Sequence, residues 1–288
     1  MENLPKEPSA EEFGYEPPLA PTVPPASPAP GPRLASALIT SVIYYIAVFA
    51  VTVPLGVYMY LQKRPLDSLT LTFISQIIGW PVAMIAGVLI SRRSWRDSFA
   101  IRPCPVRMIP GLILGCFGLS LVLNRLASQI PMPAFFESAF RDMMTGPPAL
   151  NVLCLVILAP LAEELFFRGW MLRGFAAHYS KNKAIWFTAI IFGLFHLNPW
   201  QFVVAVPIGV IFASLTLKTG SLLPGLVGHF IVNLTGSQLL KPLAGLLGHG
   251  DQELEDATHL PWDMVGLGAV FAVAGFAWMQ REMRRPTA

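Results

Sequence analysis

Charge is scarce in this chain of 288 residues. Asp, Glu, Lys and Arg together make up 13% of it, against roughly 25% in a soluble domain, which excludes an ordinary water-soluble globular protein. Cysteine is scarcer still. Cys104, Cys116 and Cys154 lie far apart with no Cys-x-x-Cys pair, so neither a disulfide framework nor a cysteine-based metal site is expected. The net charge of +3 is small and scattered, which argues against nucleic acid as a partner. What the chain has instead is apolar sequence: 54% hydrophobic residues and a mean hydropathy of +0.56. The composition is that of an all-α, polytopic membrane protein, with the lipid bilayer as its surroundings.

Apolar runs long enough for a spanning helix, about 20 residues, divide the chain. Spans are expected at 35–61, 69–90, 108–127, 148–167, 184–197, 202–217, 223–240 and 262–279. The fifth and sixth are short and joined by the turn-type sequence Asn198-Pro199-Trp200-Gln201, so they also read as one re-entrant pair. Gly79-Trp80-Pro81 predicts a kink in the second span, and Gly111-Leu-Ile-Leu-Gly115 permits close helix packing in the third. Residues 1–34 are different material: ten of the 27 prolines and five glutamates fall in the first 32 positions, the composition of a disordered tail rather than a signal peptide. The remaining organisation reads as 35–107, the first helices and a basic inner loop; 108–240, a core; and 241–288, an acidic outer loop, the last helix and a basic end.

Basic residues fix the orientation. With the N-terminus inside, fifteen of the 20 Lys and Arg residues fall in inner segments and five (Lys63, Arg64, Arg125, Arg141, Lys241) in outer ones. The positive-inside rule then favours eight spans with both termini cytoplasmic. The acidic stretch 251–256 falls outside. Residues 92–107 mix Arg with Trp95, Phe99 and Ile101, which suits an amphipathic surface segment and a plain topogenic loop equally.

Against this background, carboxylates and histidines inside apolar runs stand out, because each is costly at membrane depth. In Glu163-Glu164-Leu-Phe-Phe167-Arg168 the i,i+4 spacing pairs Glu164 with Arg168 and leaves Glu163, about 100° around the helix, without a local partner. Such a carboxylate needs a partner on another helix or a wet cavity, the setting of a general base. The turn around Tyr179-Ser180-Lys181-Asn182 folds the next helix back. Glu163 lies 17 residues before Ser180 and His196 lies 16 after it, so an antiparallel hairpin brings both to one depth. Gly193, one turn before His196, is expected to leave room for something to approach. His229 and Asn233, at i and i+4, share a helix face and suit a developing oxyanion. Each residue alone reads as interhelical hydrogen bonding or an anchor; together they fall in consecutive elements between residues 163 and 233. His178, His249 and His259 lie in loops and look incidental.

Glu-Glu-x-x-x-Arg, Phe-x-x-x-His and His-x-x-x-Asn, in this order on successive membrane helices, resemble the CPBP family of intramembrane proteases: the type II CAAX prenyl endopeptidases and their bacterial relatives, including bacteriocin-processing and immunity-associated proteins. The resemblance spans residues 108–240. It implies that Glu163 is the catalytic carboxylate and His196 its partner in activating water. His229 and Asn233 would stabilise the oxyanion, while Glu164 and Arg168 support the geometry. It also implies a site open toward the cytoplasm through a cavity between helices, and a membrane-associated or lipidated peptide or protein as substrate. Glu163, His196 and His229 also form a His₂Glu set of the kind that holds catalytic zinc. The chain has no His-Glu-x-x-His helix, and metal-independent water activation is the favoured reading, with no cofactor required. The home of such a protein is the cell membrane in a prokaryote or the endoplasmic reticulum in a eukaryote. Two rival functions share these residues. One is a proton- or cation-coupled transporter, against which no internal repeat is found; the other is a catalytically silent scaffold or immunity factor.

Overall fold

The computed structural model describes residues 31–64, 67–92, 95–99, 102–249 and 260–285. The proline-rich segment through residue 30, the acidic stretch 251–256 and His259 lie outside the described residues. Within them the chain forms helices and no strand. In order these are α1 (Leu34–Leu61), α2 (Ser68–Ser91), α3 (Val106–Ala127), α4 (Ala134–Thr145), α5 (Pro148–His178), α6 (Lys181–Leu194), α7 (Pro199–Thr219), α8 (residues 223–246) and α9 (Trp262–Arg284). The protein is a polytopic helical bundle. Six helices, α1, α2, α3, α5, α7 and α9, are long and apolar enough to cross a membrane.

The other two expected spans take a different form. α6 has 14 residues, about 21 Å at 1.5 Å per residue, short of a hydrocarbon core of about 30 Å. It leads through a turn, with Leu197 at φ 54°, into α7. There Asn198 caps the helix, its Oδ1 accepting from Gln201 N–H at 2.8 Å, and Pro199 occupies the first turn, where its missing N–H costs nothing. α8 is continuous but interrupted by polar residues, with a π-helical turn at Thr235–Leu239. α5 runs eleven residues past the expected end at residue 167, because Arg168 is buried beside Glu164 instead of marking the membrane surface. α4, amphipathic and too short to span, had no counterpart among the expected spans.

Packing follows residue size. Gly111, Gly115 and Gly118 of α3 face Gly268 and Gly275 of α9 so closely that a Cβ on Gly275 would stand 2.2 Å from the Gly115 nitrogen, and one on Gly118 2.3 Å from the Gly268 carbonyl oxygen. The expected close packing at Gly111 and Gly115 is real, and its partner is α9. On the other side of the bundle, Tyr44 of α1, Trp80 of α2 and Phe166, Phe167 and Trp170 of α5 form an aromatic wall. The irregularity expected at Gly79-Trp80-Pro81 takes the form of a π-helical segment, Ser75–Gly79, just before Pro81.

The loops sort into two ends. Ser221 Oγ bonds the Arg102 carbonyl, Arg107 Nε donates to the Glu282 carbonyl at 3.0 Å, and Arg173 Nη2 donates to the Gly220 carbonyl at 3.1 Å. That end therefore joins the α2–α3 and α7–α8 connections, the last turns of α5 and the end of α9. At the opposite end Arg125 reaches the Leu260 carbonyl at 3.2 Å, and Trp200 Nε1 donates to the Ile130 carbonyl at 3.0 Å.

Candidate active site

The α5–α6 hairpin sets the site's depth. Phe167 packs edge-on against Phe192, with centroids 5.0 Å apart, and Phe175 against Phe187 at 6.3 Å. Stepping one turn up each helix from the Phe167–Phe192 pair leads to Glu163 and to His196, so the register expected from the turn is the one formed. Both line a cavity of about 430 Å³, and so do His229 and Asn233. The four motif residues on α5, α8 and the α6–α7 turn thus face one space.

Glu164 and Arg168 sit beneath it, both fully buried. Arg168 Nη1 donates to Glu164 Oε1 at 2.8 Å, as the i,i+4 spacing required. The guanidinium carbon stands 4.3 Å from the Phe192 ring centre, a cation–π contact in a desolvated setting. One contact was not legible from spacing: His229 Nδ1 meets the same Glu164 oxygen at 2.9 Å. The buried carboxylate therefore orients the imidazole and turns Nε2 toward the cavity, where Glu163 Oε2 lies 3.7 Å away. Gly225 makes this possible, since a Cβ there would stand 2.6 Å from Glu164 Oε2. His229 thus stands between both glutamates, with Nδ1 on Glu164 and Nε2 on the Glu163 side.

His196 follows the last turn of α6, and its Nδ1 lies 2.9 Å from the Phe192 carbonyl oxygen. A carbonyl accepts only, so Nδ1 carries the hydrogen and Nε2 is left as a lone-pair acceptor. Gly193 does not open space for a ligand: a Cβ there would meet Val206 at 2.6 Å and Phe202 at 2.9 Å, so its smallness serves the approach of α7.

Asn233 has a backbone reason to be where it is. Residues 152–158 of α5 are π-helical, and Ala159 N–H bonds the Cys154 carbonyl, five residues back. The next bond in that register would run from residue 160 to Leu155, but residue 160 is proline and has no N–H. Asn233 Nδ2 supplies the missing donor at 2.7 Å from the Leu155 oxygen. Its second amide hydrogen is left for the cavity.

Other walls of the cavity escaped the sequence reading. Tyr44, Tyr45, Gln76 and Trp80 come from the first two helices, and Phe136, Phe140 and Met143 from α4. Tyr45 donates its hydroxyl to the Phe195 carbonyl, and Trp80 stacks on Phe195 at 5.1 Å, which fixes the turn that carries His196. Gln76 was the available signal, an amide in an apolar span. Among the described residues, Gln76 Oε1 and Trp80 Nε1 are buried without a hydrogen-bond partner.

Glu163 and His229 approach each other, yet among the described residues no three His, Cys, Asp or Glu side chains are grouped to hold a metal ion.

No curated protein and no solved structure matches the chain. Residues 145–235, which carry all three motifs from Glu163 to Asn233, match the family described as type II CAAX prenyl endopeptidase Rce1-like, and over that segment the chain is similar to this family of membrane proteases.

Proposed function

We propose that the protein is an intramembrane endopeptidase that hydrolyses a peptide bond in a membrane-associated or lipidated substrate, without a resident metal. The observation that carries this reading is the convergence of Glu163, His196, His229 and Asn233 on one cavity, with His229 held between two glutamates.

Glu163 takes a proton from water, and the lone pair of His196 Nε2 helps to orient that water. The hydroxide formed attacks the scissile carbonyl carbon. The oxyanion that results is stabilised by hydrogen bonds from His229 at Nε2 and from the second amide hydrogen of Asn233. Each such donor contributes about 10²–10³ in rate in other hydrolases. As the C–N bond breaks, Glu163 returns the proton to the leaving amine, giving a carboxylic acid and an amine. Glu164 and Arg168 touch no substrate; they hold His229 in its orientation. Gln76 Oε1 and Trp80 Nε1, an unpaired acceptor and donor, suit the backbone of an extended substrate.

The positive-inside count supports an orientation with both termini in the cytoplasm and eight passages through the membrane. A crossing or a re-entrant α6–α7 pair gives the same sides for the termini, because both helices are gained or lost together. Arg168 drops out of the count as a buried residue, leaving fourteen inner basic residues against five outer ones.

Purified protein in detergent, incubated with a peptide library in ¹⁸O-water with and without chelator, tests this reading. Cleavage products that carry solvent oxygen and persist with chelator are expected. Loss of cleavage on chelation, with recovery on adding zinc, would overturn the metal-free mechanism; no cleavage of any peptide would favour a scaffold.

A further inference from the structure

The cavity opens at one end of the bundle, and most of the basic residues lie at the other. The cavity floor is Glu163 and His229, closed beneath by Glu164, Arg168, Phe192 and Phe212. Its rim is Ser68 at the start of α2, Phe136 and Phe140 of α4, and Asn198 and Gln201 in the α6–α7 turn. All of these belong to the end where α1 joins α2 and α6 joins α7. The other end carries Arg92, Arg96, Arg102, Arg107, Arg173, Lys181, Lys183, Lys218, Arg281, Arg284 and Arg285. The rim end carries five, Lys63, Arg64, Arg125, Arg141 and Lys241; the excess of short-loop Lys and Arg marks the cytoplasmic side, so the rim faces away from it. A cytoplasmic opening and cytoplasmic termini cannot both hold in this fold.

The rim also has the build of a membrane surface. α4 turns Phe136, Phe140 and Met143 to the cavity, while Phe135 is 76% exposed beside exposed Glu137, Ser138 and Arg141. An amphipathic helix of this kind lies in the interface between headgroups and acyl chains. A chain anchored in the outer leaflet, or spanning the bilayer, meets the cavity at that level.

We infer, building on the protease reading above, that the site receives its substrate from the extracytoplasmic side. Its substrate class is then the extracytoplasmic juxtamembrane segment of a membrane-anchored peptide or protein, rather than a CAAX tail presented from the cytoplasm.

Two measurements on the full-length protein separate this inference from the protease reading. The first needs no activity. Native Cys104, half-exposed at the basic end, and Ser138→Cys in a Cys104→Ser background, at the rim, are treated with a membrane-impermeant maleimide in intact cells. Ser138→Cys is expected to label before permeabilisation and Cys104 only after it; the reverse pattern, or equal labelling of the two, would overturn the inference. The second co-expresses single-span reporters bearing one cleavable segment on the outer or the inner side of the anchor. Loss of the outer reporter alone is expected, and loss of the inner one overturns the inference. Outward labelling with neither reporter cut leaves the sidedness standing and overturns the substrate assignment, and the detergent assay then judges the protease reading by itself.

Discussion

Replacing Arg168 with alanine leaves the Glu164 carboxylate fully buried, with His229 as its remaining hydrogen-bond partner. Breaking a buried ion pair from one side costs about 3–5 kcal/mol, because the desolvated charge left behind is uncompensated. Loss of the guanidinium's stacking on Phe192 adds to this, about 2 kcal/mol when such a contact is desolvated. Glu164→Gln, which strands the arginine instead, should cost a similar amount. The double variant Glu164→Met/Arg168→Met removes both charges and keeps the volume filled, and replacement of a buried pair by apolar groups is often neutral. It should therefore recover most of the loss. Equilibrium unfolding in mixed micelles gives the free energy of each of the four proteins, and peptide cleavage gives the activity of each. The double variant is expected to be nearly as stable as the parent yet inactive, since His229 Nδ1 has lost its acceptor. Additive destabilisation by the two single changes, or a double variant with full activity, would refute the assignment of Glu164 as the residue that positions His229.

Further expectations concern the backbone and the ends of helices. Asn233→Ala strands the Leu155 carbonyl and should cost about 1–3 kcal/mol; adding Pro160→Ala, which restores an N–H at residue 160, should shrink that loss without restoring kcat. Gly225→Ala brings a methyl to 2.6 Å from Glu164 Oε2, and the crowding should cost about 1–3 kcal/mol and lower kcat as His229 shifts. At the start of α2, Asp67 accepts from the Thr70 hydroxyl and backbone N–H at 2.7 Å each, which holds its carboxyl below the usual range. That contribution is present in full above the unfolded-state value near 4 and fades as pH falls below it; Asp67→Ala should cost about 0.5–2 kcal/mol at neutral pH and flatten the acid limb of a stability–pH curve.

The membrane helices were legible because apolar length is a local property: six expected spans match helices of spanning length. The Glu164–Arg168 pair was legible too, since i,i+4 neighbours meet on any helix, and the common depth of Glu163 and His196 followed from one turn at Ser180. Other features depend on partners that no local pattern names. The second bond of Glu164, to His229, joins residues 65 apart in sequence. Gly193 reads as open space until Phe202 and Val206 are seen to fill it. α4 was missed because a search for spans passes over a 12-residue amphipathic helix, and with it went one wall of the cavity. The side on which the cavity opens needed the basic residues and the rim to be placed at the same time.

The most direct test of the account is peptide hydrolysis by Glu163→Gln beside the parent, with both proteins shown to unfold at the same denaturant midpoint. A general base typically contributes about 10²–10⁴ in rate. A fall of that size in kcat is expected, with KM little changed. Full activity in the folded Glu163→Gln protein would contradict it.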